Sequence, residues 1–253
     1  IAAAAKAAPD GYTIVMGQSD NMMLGPWLYP NVGYDTVKSF TPIIQATVAP
    51  LAIVSNAQPV GQQHRINTPA DMVAKGKTGN GFTWASAGNG TVGHLYTEQF
   101  KQATQTKLLH VPYKGSGPAL TDLIGGQVQY CFETMTSATP HVKSGKAIAL
   151  AQTRTKRAKG HPNVPTMDEQ GFGGFDATTW YGLVGPARMN PSFVKRINED
   201  MNRVMAMPDV IEKFDQYGAE DGGGSPERFA EFIRSETQKW AKVIKDAKVQ
   251  ADS

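Results

Sequence analysis

Apolar and β-branched positions gather in short runs at 12–16, 43–48, 51–54, 82–86, 108–111, 128–132, 148–152 and 178–184, each bounded by glycine, proline or polar residues. Runs of this length read as strands. Between several of them, apolar residues recur at helical spacing. Thr68-Pro69-Ala70-Asp71 starts one helix, with Thr as N-cap, Pro at the first helical position and an acid in the first turn. Residues 91–107 and 117–124 read as two more, each following a strand. Such alternation predicts an α/β fold with largely parallel sheets. Beyond Gly185-Pro186 the pattern turns helical. Asn190-Pro191 opens a helix with Val194, Ile197, Met201, Val204 and Met205 on one face, and Ser225-Pro226 opens another with Phe229, Phe232, Ile233, Trp240 and Ile244. Both stripes are expected to cover a sheet.

Two strands end where the chain could cross between lobes. Leu51-Ala52-Ile53-Val54-Ser55-Asn56 runs into a polar stretch up to Thr68, and Trp180-Tyr181-Gly182-Leu183-Val184 ends at Gly185-Pro186. Taken as crossovers, they predict one lobe of residues 57–180 and a discontinuous lobe of residues 1–56 and 181–253, with a ligand in the cleft between them. The opening Ile1-Ala2-Ala3-Ala4-Ala5 reads as the tail of a helix stopped at Pro9-Asp10-Gly11. A longer protein, with an N-terminal strand and helix ahead of these residues, is therefore expected.

Composition narrows the classes. Forty per cent of the 253 residues are hydrophobic, which excludes wholesale disorder. No apolar run approaches the ~18 residues of a bilayer-spanning helix. With 25 Lys+Arg against 22 Asp+Glu the net charge is +3, and no basic block marks a nucleic-acid partner. The single Cys131 excludes an internal disulfide and a multi-Cys zinc site, and alternation makes it a small buried hydrophobe. His64, His94, His110, His141 and His161 have no ligand spacing, so neither metal nor cofactor is expected.

Three strand-to-helix turns carry the candidate chemistry. Ser86-Ala87-Gly88-Asn89-Gly90-Thr91-Val92-Gly93 spells G-x-G-x-x-G between a strand and a helix, where amides and the helix dipole favour an anion. A dinucleotide would also need an acid about 20 residues on, and none lies between Glu98 and Asp122. Tyr113-Lys114-Gly115-Ser116-Gly117 repeats the glycine-turn logic, and Phe132-Glu133-Thr134-Met135 follows the strand of Cys131. A fourth segment, Gly17-Gln18-Ser19-Asp20-Asn21, resembles a nucleophile elbow whose last glycine is replaced by Asn21. Together these turns offer hydrogen-bond donors and few general bases, which suits holding a small anion better than transforming it. A nucleotide-dependent oxidoreductase or a serine hydrolase is the alternative. Bulk introduced at Gly90 or Gly115 is expected to block the ligand's approach.

Ala8-Pro9-Asp10-Gly11-Tyr12-Thr13, then Ser86 to Thr91 with His94-Leu95, then His110-Val111-Pro112-Tyr113-Lys114-Gly115-Ser116-Gly117-Pro118-Ala119-Leu120-Thr121-Asp122-Leu123, closely resemble the Bug family, periplasmic solute receptors of tripartite tricarboxylate transporters. Trp180-Tyr181-Gly182-Leu183 and Asn163-Val164-Pro165-Thr166 extend the likeness along the chain. The resemblance implies a type II periplasmic binding protein fold, two α/β lobes closing like a Venus flytrap around a central cleft. It implies a non-enzymatic periplasmic receptor for a small carboxylate or related organic anion, delivered to a membrane component of the transporter. A monomer with no nucleic-acid partner is expected. Carried over by motif, the contacts are Gln18, Ser19 and Asn21 in one lobe, and Gly88, Asn89, Gly90, Thr91, Lys114, Gly115, Ser116, Glu133 and Thr134 in the other. Glu133 stands where the family more often has Asp, and Asp20 adds a second carboxylate; both could favour a ligand with an amino group, or simply face solvent.

Overall fold

The computed structural model describes residues 1–29, 31–58, 66, 68–78 and 81–247. Its strands are β1 (Val15–Gln18), β2 (Phe40–Asn56), β3 (Phe82–Ser86), β4 (Leu108–Pro112), β5 (Tyr130–Thr134), β6 (Ala147–Gln152), β7 (Thr178–Pro186) and β8 (Glu220–Asp221). The helices are α1 (Ala2–Ala5), α2 (Gly25–Leu28), α3 (Pro69–Thr78), α4 (Val92–Thr104), α5 (Ser116–Ile124), α6 (Met135–Lys143), α7 (Pro191–Met205), α8 (Pro208–Gln216) and α9 (Pro226–Ala247).

The runs at 43–48 and 51–54, expected as separate strands, are one 17-residue strand, β2, shared by two sheets. Up to Pro50, opposite Thr178, it pairs with β7, and from Leu51, opposite Thr134, it pairs with β5 and β6. Proline has no N–H to offer a ladder, so it sits where one set of partners ends rather than where the chain turns. Thr153 holds the switch, its hydroxyl accepting the Leu51 N–H at 3.0 Å. The first sheet runs β1-β7-β2-β8 and is antiparallel throughout. The second runs β6-β2-β5-β3-β4; β3 is parallel to β4 and β5, while β2 enters antiparallel. The expectation of largely parallel sheets therefore holds for the second sheet alone. Strand–helix alternation is confined to residues 82–152, and only a crossover helix lets neighbouring strands run parallel.

Side-chain caps form at the expected helix starts. Thr68 Oγ1 accepts from Asp71 N at 3.1 Å, and Asn190 Oδ1 accepts from Ser192 N at 3.0 Å. Thr91 Oγ1 accepts from His94 N at 3.3 Å and donates to Gly88 O at 2.8 Å. Thr91→Ala is accordingly expected to lower stability by about 1 kcal/mol, the usual worth of an N-cap; a urea midpoint equal to wild type would contradict that role. The segment 57–68 after β2, expected as a crossover, falls mostly outside the described residues.

The C-terminal helices cover the first sheet, as their stripes require. Phe229 and Trp240 of α9 are fully buried, whereas Val204 of α7, expected on the inward face, is exposed. Trp84 packs with Phe100 and Phe132 at ring separations of 5.6 and 5.2 Å under the second sheet. Tyr96 of α4 meets Trp240 edge-on at 5.7 Å, making the two sides continuous. Cys131 is buried in the apolar layer beneath α5 and α6, where burial raises its thiol well above the ordinary range.

Candidate functional site

Because β3, β4 and β5 run parallel, their C-terminal ends and the turns that follow collect at one edge of the second sheet. Facing them are the end of β1 and the start of β7. Between the two lies a cavity of about 350 Å³. The first sheet contributes Gln18, Asp20, Thr179 and Tyr181, and Leu51 lines it at the strand switch. The opposite wall holds Thr91, Gly93, Gly115, Ser116, Glu133 and Thr134, backed by Ala87, Val92 and Phe132.

Six of the twelve residues expected at the site therefore meet: Gln18, Thr91, Gly115, Ser116, Glu133 and Thr134. Six do not line it. Ser19 is fully buried, its hydroxyl accepting the Trp180 N–H at 2.9 Å, so it ties β1 to β7. Buried in this way, it does not present its hydroxyl to the cavity as the elbow reading expected. Asn21 folds back to accept the Gln18 N–H at 3.0 Å. Lys114 is solvent-exposed. Gly88, Asn89 and Gly90 form a turn packed against α2, with Tyr29 Oη 3.5 Å from Asn89 O.

This first glycine turn is not the open anion cradle that its sequence predicts. Gly88 N donates to Ser86 Oγ at 3.2 Å, Gly90 N to His94 Nδ1 at 3.1 Å, Thr91 N to Gly88 O at 3.4 Å and Val92 N to Asp20 Oδ1 at 2.9 Å. Buried amides must find acceptors, and here the protein supplies them. The turn's frame is polar too. Ser86 Oγ and His110 Nε2 are 2.6 Å apart, and the His94 and His110 rings stack at 3.9 Å. Burial, then the neighbouring His94, pushes His110 down to about 3, so His110 is a neutral part of this frame.

The second turn is different. Gly115 N donates to Ala87 O at 2.8 Å, which locks the two turns together. Gly115 sits at φ 108°, ψ 169°, a region essentially reserved for glycine, and the N-terminus of α5 has no side-chain cap. Gly93 permits another close approach, since a Cβ there would lie 2.6 Å from Phe132 O.

Two carboxylates dominate the electrostatics. Asp20, from the first sheet's side, caps α4 across the cavity; burial raises it to about 6, with the Val92 hydrogen bond opposing. Glu133 Oε1 accepts the Thr134 N–H at 2.7 Å and the Thr134 hydroxyl at 3.2 Å. Ser116 lies beside this carboxylate and opposes its upward shift, and Oε2 is buried with no partner. Burial pushes Glu133 upward, and the charge of Asp20 adds to it. Tyr181 rises to about 12, by burial first and then by both carboxylates. Among the described residues lining the cavity there is no Lys, Arg or His. Thr179 and Tyr181 escaped the sequence reading, although two-residue alternation along 178–184 puts both on one face of β7.

The chain matches the model of the tripartite tricarboxylate transporter family receptor over residues 1–249. A protein encoded in the tcbD-tcbE intergenic region of Pseudomonas sp. is 34% identical over 249 residues, which is 98% of this chain and 73% of the relative. The structure of the periplasmic binding protein BugD superposes with a TM-score of 0.88 at 30% identity, over 99% of this chain and 83% of that one. A Rhodopseudomonas palustris protein solved with adipate gives 0.90 at 28% identity, over 98% and 82%.

Proposed function

This chain belongs to the tripartite tricarboxylate transporter family of receptors, and from that membership we propose that it captures a small organic carboxylate in the cavity between its two sheets. It works in the periplasm as a monomer, catalyses nothing, and hands its ligand to the membrane component of the transporter. The observation that carries this reading is the cavity itself, whose walls come from both sheets and whose uncapped α5 start supplies amide donors. We place the division between lobes near Pro50 and Thr178, a few residues before the expected 56/57 and 180/181, on the ground that β2 exchanges partners there.

Closure follows from differential binding. Gln18 and Tyr181 on one side, and Ser116 and Thr134 on the other, each supply part of the ligand's hydrogen bonds. Only interactions that form as the walls meet, and are missing while they stand apart, can shift an open–closed equilibrium. The bridge from Asp20 to Val92 N is one such interaction that the protein makes by itself.

Trp84 and Trp180 are fully buried on either side of the cavity, so their fluorescence is a probe of closure. A screen of dicarboxylates is expected to give a saturable change with at least one compound, which is recovered unaltered by mass spectrometry. Consumption of the bound compound would overturn the receptor reading in favour of an enzyme.

A further inference from the structure

The cavity is acidic where a plain anion would want it basic. Glu133 is 4% exposed, and its Oε2 is buried without a partner. An unsatisfied buried acceptor of this kind is costly and asks for a donor from outside the protein. Asp20 lines the same cavity from the opposite wall, with Oδ1 held by Val92 and no hydrogen bond to its other oxygen among the described residues. Among the described residues no Lys, Arg or His lies in the lining to neutralise either one. From these observations, and resting on the carboxylate-receptor reading above, we propose that Asp20 and Glu133 form a subsite for a protonated amino group, so that the ligand is an amino acid rather than a plain carboxylate.

The neighbouring groups place the amino group relative to the acid. Ser116 opens α5, whose first amides have no side-chain cap, and it lies beside the Glu133 carboxylate. The start of a helix draws the ligand's carboxylate, while Glu133 beside it draws a cation. Adjacent subsites of opposite preference fit charges on adjacent atoms. An α-amino carboxylate has that spacing. A dicarboxylate would instead set one of its charges against two like charges at close range.

The test is isothermal titration calorimetry of the intact protein with matched pairs differing only in the amino group: 2-aminoadipate against adipate, and glutamate against glutarate. The amino member of at least one pair is expected to bind about tenfold tighter or more. Glu133→Gln keeps the shape and removes the charge, and should cut that preference to about threefold or less. Asp20→Asn should act in the same direction, and provides the readout if the Glu133 variant does not fold. Equal or tighter binding of the plain dicarboxylates, including binding with proton uptake by the acids, would overturn the amino subsite and leave the receptor reading standing. Absence of binding by every member to the folded protein would overturn both.

Discussion

Gly115→Val is expected to weaken carboxylate binding by about a hundredfold or more, roughly 2.7 kcal/mol, while the protein still folds. A Cβ at Gly115 would meet nothing within 4 Å, so no packed neighbour resists it and the added bulk enters the open space of the cavity that Gly115 lines. The backbone there, at φ 108° and ψ 169°, excludes branched residues and would relax at a cost of about 1–3 kcal/mol. Relaxation pulls on the Gly115 N–H bond to Ala87 O and so displaces Ser116 and the start of α5. Gly90→Val makes the contrast. Its Cβ would lie 2.7 Å from Leu28 Cδ1, so it meets the protein's own side chain and is expected to lower stability first. The two glycines, equivalent in the sequence, thus separate into a cavity-lining and a packing position. Calorimetry finding wild-type affinity in Gly115→Val would remove the second turn from the site.

Asp20→Asn is expected to stabilise the unliganded protein above pH 7 by up to about 3 kcal/mol. The sign follows from burial. Asp20 titrates near 6 in the folded chain against an ordinary 3.8, so between those values the folded state holds more protons than the unfolded one. Stability therefore falls as pH rises from about 4 to about 6, and the full penalty persists above that. Glu133, also raised by burial, acts in the same direction. Asparagine keeps a carbonyl oxygen for Val92 N but carries no charge into the cavity. Chemical denaturation at pH 4.5 and pH 8 measures the difference: the variant should gain most at pH 8. A loss of stability at pH 8 would mean that the carboxylate contributes more through capping α4 than burial takes away. Weakened amino-acid binding by a more stable variant would show why an acid is kept at this buried position.

Much of the architecture was legible because it rests on local chemistry. Apolar runs marked β3, β4, β6 and β7 to within one or two residues, and Thr68, Thr91, Asn190 and Ser225 announced helices that begin beside them. The stripe of α9 foretold buried Phe229 and Trp240. What stayed hidden were properties of partners. Pro50 looks like a break in sequence, yet it lies inside one strand because the neighbours change around it. The first glycine turn displays four amides in sequence, but Ser86, His94, Gly88 and Asp20 absorb them.

The primary sequence by itself determined the α/β class, the helix starts and which turns follow which strands, since each depends on residues within a few positions. It also supplied the family likeness along the whole chain. Tertiary structure alone decided which turn keeps its donors, that Asp20 reaches across to α4, and that Glu133 is left with an oxygen unpaired in the same cavity. Those outcomes depend on groups far apart in the chain, 72 positions in the case of Asp20 and Val92. Hydrogen-bond satisfaction and burial are pairwise, and the pairs exist only once the sheets have met.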